Sequence, residues 1–348
     1  MIDVKRIGKY EIIELLGVGG QGEVYKARDM SIGGRIVALK TLDIPGGKPR
    51  SYKAQEAFDR FRNEAEITAK LDHPQIAQVF DYGIDPETEK AFIARQFLQG
   101  EQLSKLIEKG PIDYDEGLRI VLSLAGVLDY LHKQGVVHRD IKPANIFLQY
   151  GIPMIVDFGI AYSEWTDKTK TQTGYHIGTS NYLPPELFDR KLRDKYRYSP
   201  SRDWWALGCV AFELFTGKKL FDEEETTILA IAVANKEEQE IIVEELKDHP
   251  AFPVVKGLLD RNPEERLNSV NDLKSVMKIK TDKIASKEEE LKSFEFKQEI
   301  EKEEVLNENN KAVNLVYAEF WRRLIAALID LPIIIAVYII IEGILHIF

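Results

Sequence analysis

The sequence predicts an α+β chain that ends in an apolar helix of membrane-spanning length, on three observations. Strand-like runs rich in β-branched and aromatic residues fall at 10–27, 36–40 and 91–98. Helical periodicity takes over afterwards, most clearly at 115–134, where Leu118, Val121, Leu122, Ala125, Leu128 and Leu131 share one stripe. From Leu324 to Phe348 the chain is then almost entirely apolar. A length of 348 residues suits two or three domains, and a formal net charge of −10 argues against a general nucleic-acid binder. The single cysteine, Cys209, lies in the apolar run 206–210, where it cannot form an internal disulfide and suits packing. No apolar run follows Met1, so no secretory signal is expected.

Taken in order, residues 10–26 hold Gly17, Gly19 and Gly22 in a G-x-G-x-x-G. That spacing alone is a weak signal. In a dinucleotide-binding fold a helix follows it, but Glu23-Val24-Tyr25-Lys26-Ala27 has strand character, so a glycine hairpin between two strands is the better reading. Such glycines let backbone lie close over phosphates; the other reading is a plain turn. Ile36-Val37-Ala38-Leu39-Lys40 is an apolar strand ending on a lysine. A helix follows, with Phe58, Phe61, Ala65 and Ile67-Thr68-Ala69 inward and Glu64 on the face turned to Lys40; His73-Pro74 is expected to end it. Ala91 to Leu98 reads as a strand, and Leu103 to Ile107 as a short helix. In Val136 to Leu148, apolar pairs bracket His138, Arg139, Asp140, Lys142 and Asn145, which predicts a rigid polar loop between short strands. Five residues separate Asp140 from Asn145, so a tight loop can aim both at one point. A carboxylate there accepts a hydroxyl proton, and an amide oxygen binds a metal ion. Met154-Ile155-Val156 is a buried strand running into Asp157-Phe158-Gly159.

Together these motifs resemble the eukaryotic-like (Hanks-type) Ser/Thr protein kinases, from residue 7 to about 280. The resemblance implies a two-lobed fold, with a small β-rich lobe at about 7–97 and a large, mostly helical lobe at about 98–280, ATP lying between them. It assigns Gly17, Val18, Gly19, Gly20, Gln21 and Gly22 to the phosphate-covering loop and Val24, Ala38, Gln96 and Leu98 to nucleotide binding, with the Leu98 backbone N–H meeting the adenine ring. Lys40 would hold the α- and β-phosphates and pair with Glu64 only when the helix is swung in. Asp140 would act as catalytic base beside Lys142, whose position matches Ser/Thr rather than tyrosine kinases, and Asn145 and Asp157 would hold Mg2+. The segment 163–177 is rich in hydroxyls and resembles an activation loop, with Thr171 or Thr173 expected to carry phosphate. Residues 178–186 resemble the docking segment ending in A-P-E, with Pro184 replacing alanine. Asp203 is expected to hold the catalytic-loop backbone, and Arg266 to pair structurally with Glu186. Arg95 departs from the family, where an uncharged residue is usual at the back of the nucleotide pocket. Two readings stay open: it pairs with Glu64 or Asp157 and competes with Lys40, or it reaches out to solvent.

Beyond 280 the composition changes. Residues 281–317 read as a charged juxtamembrane linker dominated by Lys and Glu, and 318–348 as a transmembrane segment. As a helix, 324–348 is roughly 37 Å long, enough to cross a ~30 Å hydrocarbon core with tilt. Its apolar residues favour insertion by about 5–10 kcal/mol, against at most ~3 kcal/mol each for Asp330 and Glu342. Trp321 suits the interface, and Arg322-Arg323 should stay cytoplasmic. The pattern W-R-R-x-x-A-x-x-I-D at 321–330 resembles the opening of RDD-family membrane domains. The expectation is a single-pass, membrane-anchored Ser/Thr kinase with its catalytic domain cytoplasmic, using ATP and Mg2+ on protein substrates. Self-association or a partner membrane protein would cover Asp330, and no nucleic acid is expected as a partner. A pseudokinase scaffold and a small-molecule phosphotransferase of similar fold are the alternatives; intact Lys40, Asp140, Asn145 and Asp157 oppose the first, and the docking segment opposes the second.

Overall fold

Alternation of apolar residues along 6–43 and 79–96 builds one antiparallel sheet. The computed structural model describes residues 6–19, 22–44, 49, 51–158, 162–163, 180–222, 232–233 and 235–277. Its strands are β1 (Arg6–Ile7), β2 (Tyr10–Gly19), β3 (Gly22–Asp29), β4 (Arg35–Asp43), β5 (Val79–Asp85) and β6 (Lys90–Gln96), with α1 (Tyr52–Thr68) inserted between β4 and β5. The sheet order is β1-β2-β3-β4-β6-β5. A period of two gives each strand two faces. Tyr10, Ala27, Val37, Leu39, Phe92 and Ala94 form one core, while Ala91 and Ile93 pack with Phe61 and Ala65 of α1 on the opposite face. Ala38 and Lys40 alternate with Val37 and Leu39, so they too turn toward the α1 side. The expected glycine hairpin is present, with Gly19 opposite Gly22 and Gly17 opposite Val24.

Two small-lobe expectations change. The helix stops at Thr68, short of His73-Pro74, where tighter backbone bonds follow from Lys70 to Ile67 and from Leu71 to Thr68. Ala69 is therefore exposed rather than inward. Strand β5 was not anticipated. It presents Phe80, Tyr82 and Ile84 to solvent and keeps Asp81 and Gly83 on the inner side, the reverse of the usual pattern.

The larger lobe follows as β7 (Glu101–Gln102), α2 (Leu103–Ile107), α3 (Tyr114–Lys133), β8 (Val136–Val137), β9 (Ile146–Gln149), β10 (Ile152–Ile155), β11 (Tyr162–Ser163), α4 (Arg190–Tyr196) and α5 (Ser201–Thr216). Further helices cover Lys236–Glu244, Phe252–Leu258 and Val270–Val276. Helix α5 is buried from Ser201 to Phe215 and forms the axis of this lobe. Gly208 lets it approach its neighbours, since a Cβ there would lie 2.9 Å from Leu258 and Leu259. Asp113 caps α3 by accepting the N–H groups of Asp115 and Glu116.

The chain divides into two units, Met1–Lys278 and Ile279–Phe348, and all described residues belong to the first. Among the described residues no helix is long and apolar enough to cross a membrane. The expected linker at 281–317, the transmembrane segment at 318–348 with its RDD-like opening, and the threonines of the 163–177 loop all lie outside the described residues.

Candidate active site

A quartet of charges meets between the sheet, α1 and the segment after β10. The Lys40 ammonium donates to Glu64 Oε2 at 2.7 Å and to Asp157 Oδ1 at 2.6 Å. Lys40 and Glu64 are closed to solvent, while 24% of the Asp157 side chain remains exposed. Arg95 Nη1 stands 3.7 Å from the other Glu64 oxygen, Oε1. Burial pulls Lys40 down, but Glu64 and Asp157 outweigh it and its pKa is raised. Burial also pushes Asp157 up, yet Lys40 and Arg95 together hold its carboxyl well below the usual range. For the more deeply enclosed Glu64 burial wins, and it is pushed up to about 7 against the pull of Lys40 and Arg95. Asp157 adopts φ +67°, a left-handed conformation that costs an aspartate energy and marks a position fixed by its surroundings.

Across the cleft, the loop between β8 and β9 turns through a short 3₁₀ segment at Pro143–Asn145. The Asp140 carboxylate accepts from Lys142 Nζ at 2.9 and 3.0 Å and from Asn145 Nδ2 at 2.9 Å; Asn145 Nδ2 also donates to the Asp140 carbonyl at 2.9 Å. The Asn145 carbonyl accepts from Val156 N at 3.0 Å, tying the loop to the strand that delivers Asp157. Asp203, at the start of α5, accepts the His138 and Arg139 backbone N–H groups, both at 2.8 Å, and meets His132 Nε2 at 2.9 Å. Burial pushes Asp203 up, but His132 and these donors outweigh it and keep it ionised. His138 Nδ1 accepts the Asp140 N–H, and its ring packs on Phe158 at 4.5 Å. Burial holds His138 below its ordinary pKa despite Asp203, Asp140 and Asp157, in keeping with a neutral, accepting imidazole.

The family described as "Protein kinase domain" matches residues 10–309. The chain belongs to the protein kinase family. The kinase domain is 33% identical over 273 residues to a probable serine/threonine-protein kinase of Streptomyces coelicolor, covering 77% of this chain and 39% of that protein. It is 31% identical over 290 residues to the serine/threonine-protein kinase PrkC of Bacillus subtilis, covering 81% and 42%. It is 31% identical over 277 residues to the serine/threonine-protein kinase PknB of Mycobacterium leprae, covering 77% and 42%. The chain thus spans about two fifths of the length of these curated relatives.

Protein kinases use ATP and Mg2+, and the residues of this kinase fit both. A Cβ built at Gly17 would meet no atom within 4 Å, leaving that face of the hairpin open for a phosphate chain. Gly22 is glycine for another reason: its φ is +115° and a Cβ would fall 1.8 Å from the Thr41 carbonyl oxygen. Val18 is exposed at the hairpin tip, while Gly20 and Gln21 lie outside the described residues. Ala38 and Leu98 are buried and Val24 and Gln96 half-buried; Leu98 clusters with Ala77, Met154, Val156 and the half-buried Phe147. Phe147 was missed by sequence reasoning, although alternation in β9 put it on the face opposite the buried Ile146. Asn145 offers an amide oxygen once its nitrogen is spent on Asp140, and Asp157 a carboxylate. Among the described residues no group of three or more acidic, His or Cys side chains could cage a metal, so this donor set suits an ion carrying phosphate oxygens of its own.

The remaining expected contacts form as well. Arg266 grips Glu186 with a two-pronged pair at 2.8 and 3.0 Å, both side chains being buried. Arg95 is 12% exposed and points at Glu64, not at solvent. Nor does it compete with Lys40, because the two cations face different oxygens of Glu64 and the Lys40 bond is intact.

Proposed function

We propose that this chain is a Mg2+- and ATP-dependent protein Ser/Thr kinase, held at a membrane by 318–348 with its catalytic domain in the cytoplasm. The observation that carries the activity is the Lys40 ammonium bonded at once to Glu64 and Asp157. Bound Mg2+ would neutralise charge on the phosphates, with Asn145 and Asp157 as its protein ligands. Lys40 orients the phosphate chain, and Asp140, fixed by Lys142 and Asn145, aligns the acceptor hydroxyl and takes its proton. The transition state of phosphoryl transfer is loose, so positioning and charge carry most of the catalysis. Intact placement of all these groups favours an enzyme over a pseudokinase scaffold.

Loop phosphorylation is the proposed control. Arg139 adopts φ +70° and lies over Tyr198, its ring centre 5.3 Å away, with Arg197 over the same ring. Burial and the neighbouring Arg202 and Arg197 lower its pKa, although a guanidinium stays charged at neutral pH. Among the described residues the buried Arg139 Nε has no hydrogen-bond partner. A phosphothreonine brings about −1.5 to −2 charges to such a site. Anchoring rests on the apolar run, on Arg322-Arg323 at its N-terminal edge and on the RDD-like pattern. Asp330, just before Pro332, would face a partner membrane protein or a second copy.

A comparison of wild type with Asp140→Asn tests the activity. Transfer to protein should fall about 10²–10⁴-fold while nucleotide binding stays nearly intact. Mass spectrometry of the wild-type reaction should place phosphate on Thr171 or Thr173. Undiminished transfer by the variant would refute the assignment, and a fully active enzyme with an unmodified loop would refute the control.

A further inference from the structure

We propose that Arg95 is a positioning residue that keeps Glu64, and α1 with it, docked toward the cleft while Lys40 is drawn to the nucleotide; the inference rests on the kinase reading above. Register delivers Arg95 to this place. In β6, Ala91, Ile93 and Arg95 share one face, and Ala91 and Ile93 already pack on Phe61 and Ala65 of α1. Glu64 lies between those two helix residues in sequence, so the strand that docks α1 also sets Arg95 against it. Both side chains are enclosed, at 12% and 4% exposure.

The charge count gives the contact its consequence. Among the described residues Lys40 and Arg95 face Glu64 and Asp157, two cations to two carboxyl groups. With an uncharged residue at 95, a single ammonium would serve two carboxylates. Drawing Lys40 toward phosphates would then leave Glu64 a buried anion with a weakened partner, and an enclosed carboxylate in that state tends to leave for water. Here the helix would have to move with it. Arg95 works on Oε1 and Lys40 on Oε2, so the second cation remains when the first is shared. At 3.7 Å the Arg95 contact is an ion pair, not a hydrogen bond, and depends on charge more than on fine geometry. Arg95→Lys should therefore retain the effect and neutral substitutions lose it.

The test uses the full chain as wild type, Arg95→Met, Arg95→Lys, Glu64→Gln and the Arg95→Met/Glu64→Gln double variant. Hydrogen exchange of the α1 amides is followed with Mg2+ and a non-hydrolysable ATP analogue, beside kcat and KM for ATP. Arg95→Met should speed α1 exchange about 10-fold and lower kcat about 10-fold while changing KM for ATP less than about 3-fold. Arg95→Lys should recover most of both, and in the Glu64→Gln background Arg95→Met should add less than about 2-fold. If Arg95→Met does not fold, the polar but neutral Arg95→Gln takes its place in every comparison. Additive losses, unchanged α1 exchange, or Arg95→Lys as impaired as the neutral variant would each overturn the proposal. A wild type that binds the analogue but transfers no phosphate would instead overturn the kinase reading, and the exchange data would still decide the role of Arg95.

Discussion

Asp203→Asn tests how far the catalytic loop depends on one buried carboxylate. Asp203 is 1% exposed and receives the His138 and Arg139 N–H groups at 2.8 Å, with His132 Nε2 at 2.9 Å. A hydrogen bond to a charged group is worth about 1.5–3 kcal/mol and a neutral one about 0.5–1.5, so removing the charge costs about 1 kcal/mol for each backbone donor. Asparagine keeps one acceptor oxygen but turns an NH₂ toward the other donors, stranding a buried N–H at about 1–3 kcal/mol. The sum is about 3–5 kcal/mol, a large part of a domain's stability, and roughly a 6–20 °C fall in Tm. Arg139 and Asp140 follow directly on the released backbone, and misplacement of about 1 Å can cost ~10²-fold in rate. Asp203 has a pKa depressed from 3.8, so its stabilisation is complete above that value and is lost only as pH falls through the folded pKa. The difference between wild type and variant should therefore stay constant from pH 5.5 to 8 in urea titrations. A loss under about 1 kcal/mol, or unchanged turnover, would show that the loop is held by something else.

Glu186→Gln should cost about 3–5 kcal/mol, because it leaves the buried Arg266 charge with neutral acceptors alone, the glutamine amide oxygen and the Ser201 and Asp260 carbonyls; the double replacement Glu186→Leu/Arg266→Met should cost less, and a double variant less stable than the single one would contradict this. Glu213, which accepts the Tyr182 hydroxyl, is raised from 4.5 to about 7 by burial. The native state thus disfavours its charge, and wild type should lose stability as pH rises from about 4.5 through about 7. Glu213→Gln has no proton to lose, so its stability relative to wild type should grow between pH 5 and pH 8; parallel curves in denaturant titrations would count against the shift. The full chain should remain in membranes through carbonate extraction, whereas a chain ending near Asp282 should be soluble and active; full-length protein in the soluble fraction would end the anchoring proposal.

Much of the site was legible because its chemistry is packed into short spacings. A five-residue interval set Asp140 against Asn145, and alternation turned Lys40 and Ala38 to the same side of β4. Glycines opposed across a tight strand pair announced the hairpin. Strand β5 escaped because its pattern is inverted. Asp81 faces in to take the Tyr10 hydroxyl at 2.9 Å, Gly83 lies under the Phe92 ring, and the apolar Phe80, Tyr82 and Ile84 face out. Likewise α1 ends where the backbone tightens after Thr68, a change that no residue ahead of Pro74 marks in the sequence.

By itself the sequence determined which groups the site contains and in what order. The family resemblance implied the Lys40–Glu64 and Glu186–Arg266 pairs, but only the tertiary structure set Lys40 on Asp157 as well and Arg95 on the second Glu64 oxygen. Lys40 is 24 residues from Glu64 and 117 from Asp157, and Glu186 is 80 from Arg266. No local rule spans such separations. Their distances depend on how the sheet docks on α1 and how α5 carries Asp203 beneath the loop. Burial then sets the outcome, because the same cations keep Asp157 ionised but do not offset the burial that raises the more enclosed Glu64 to about 7.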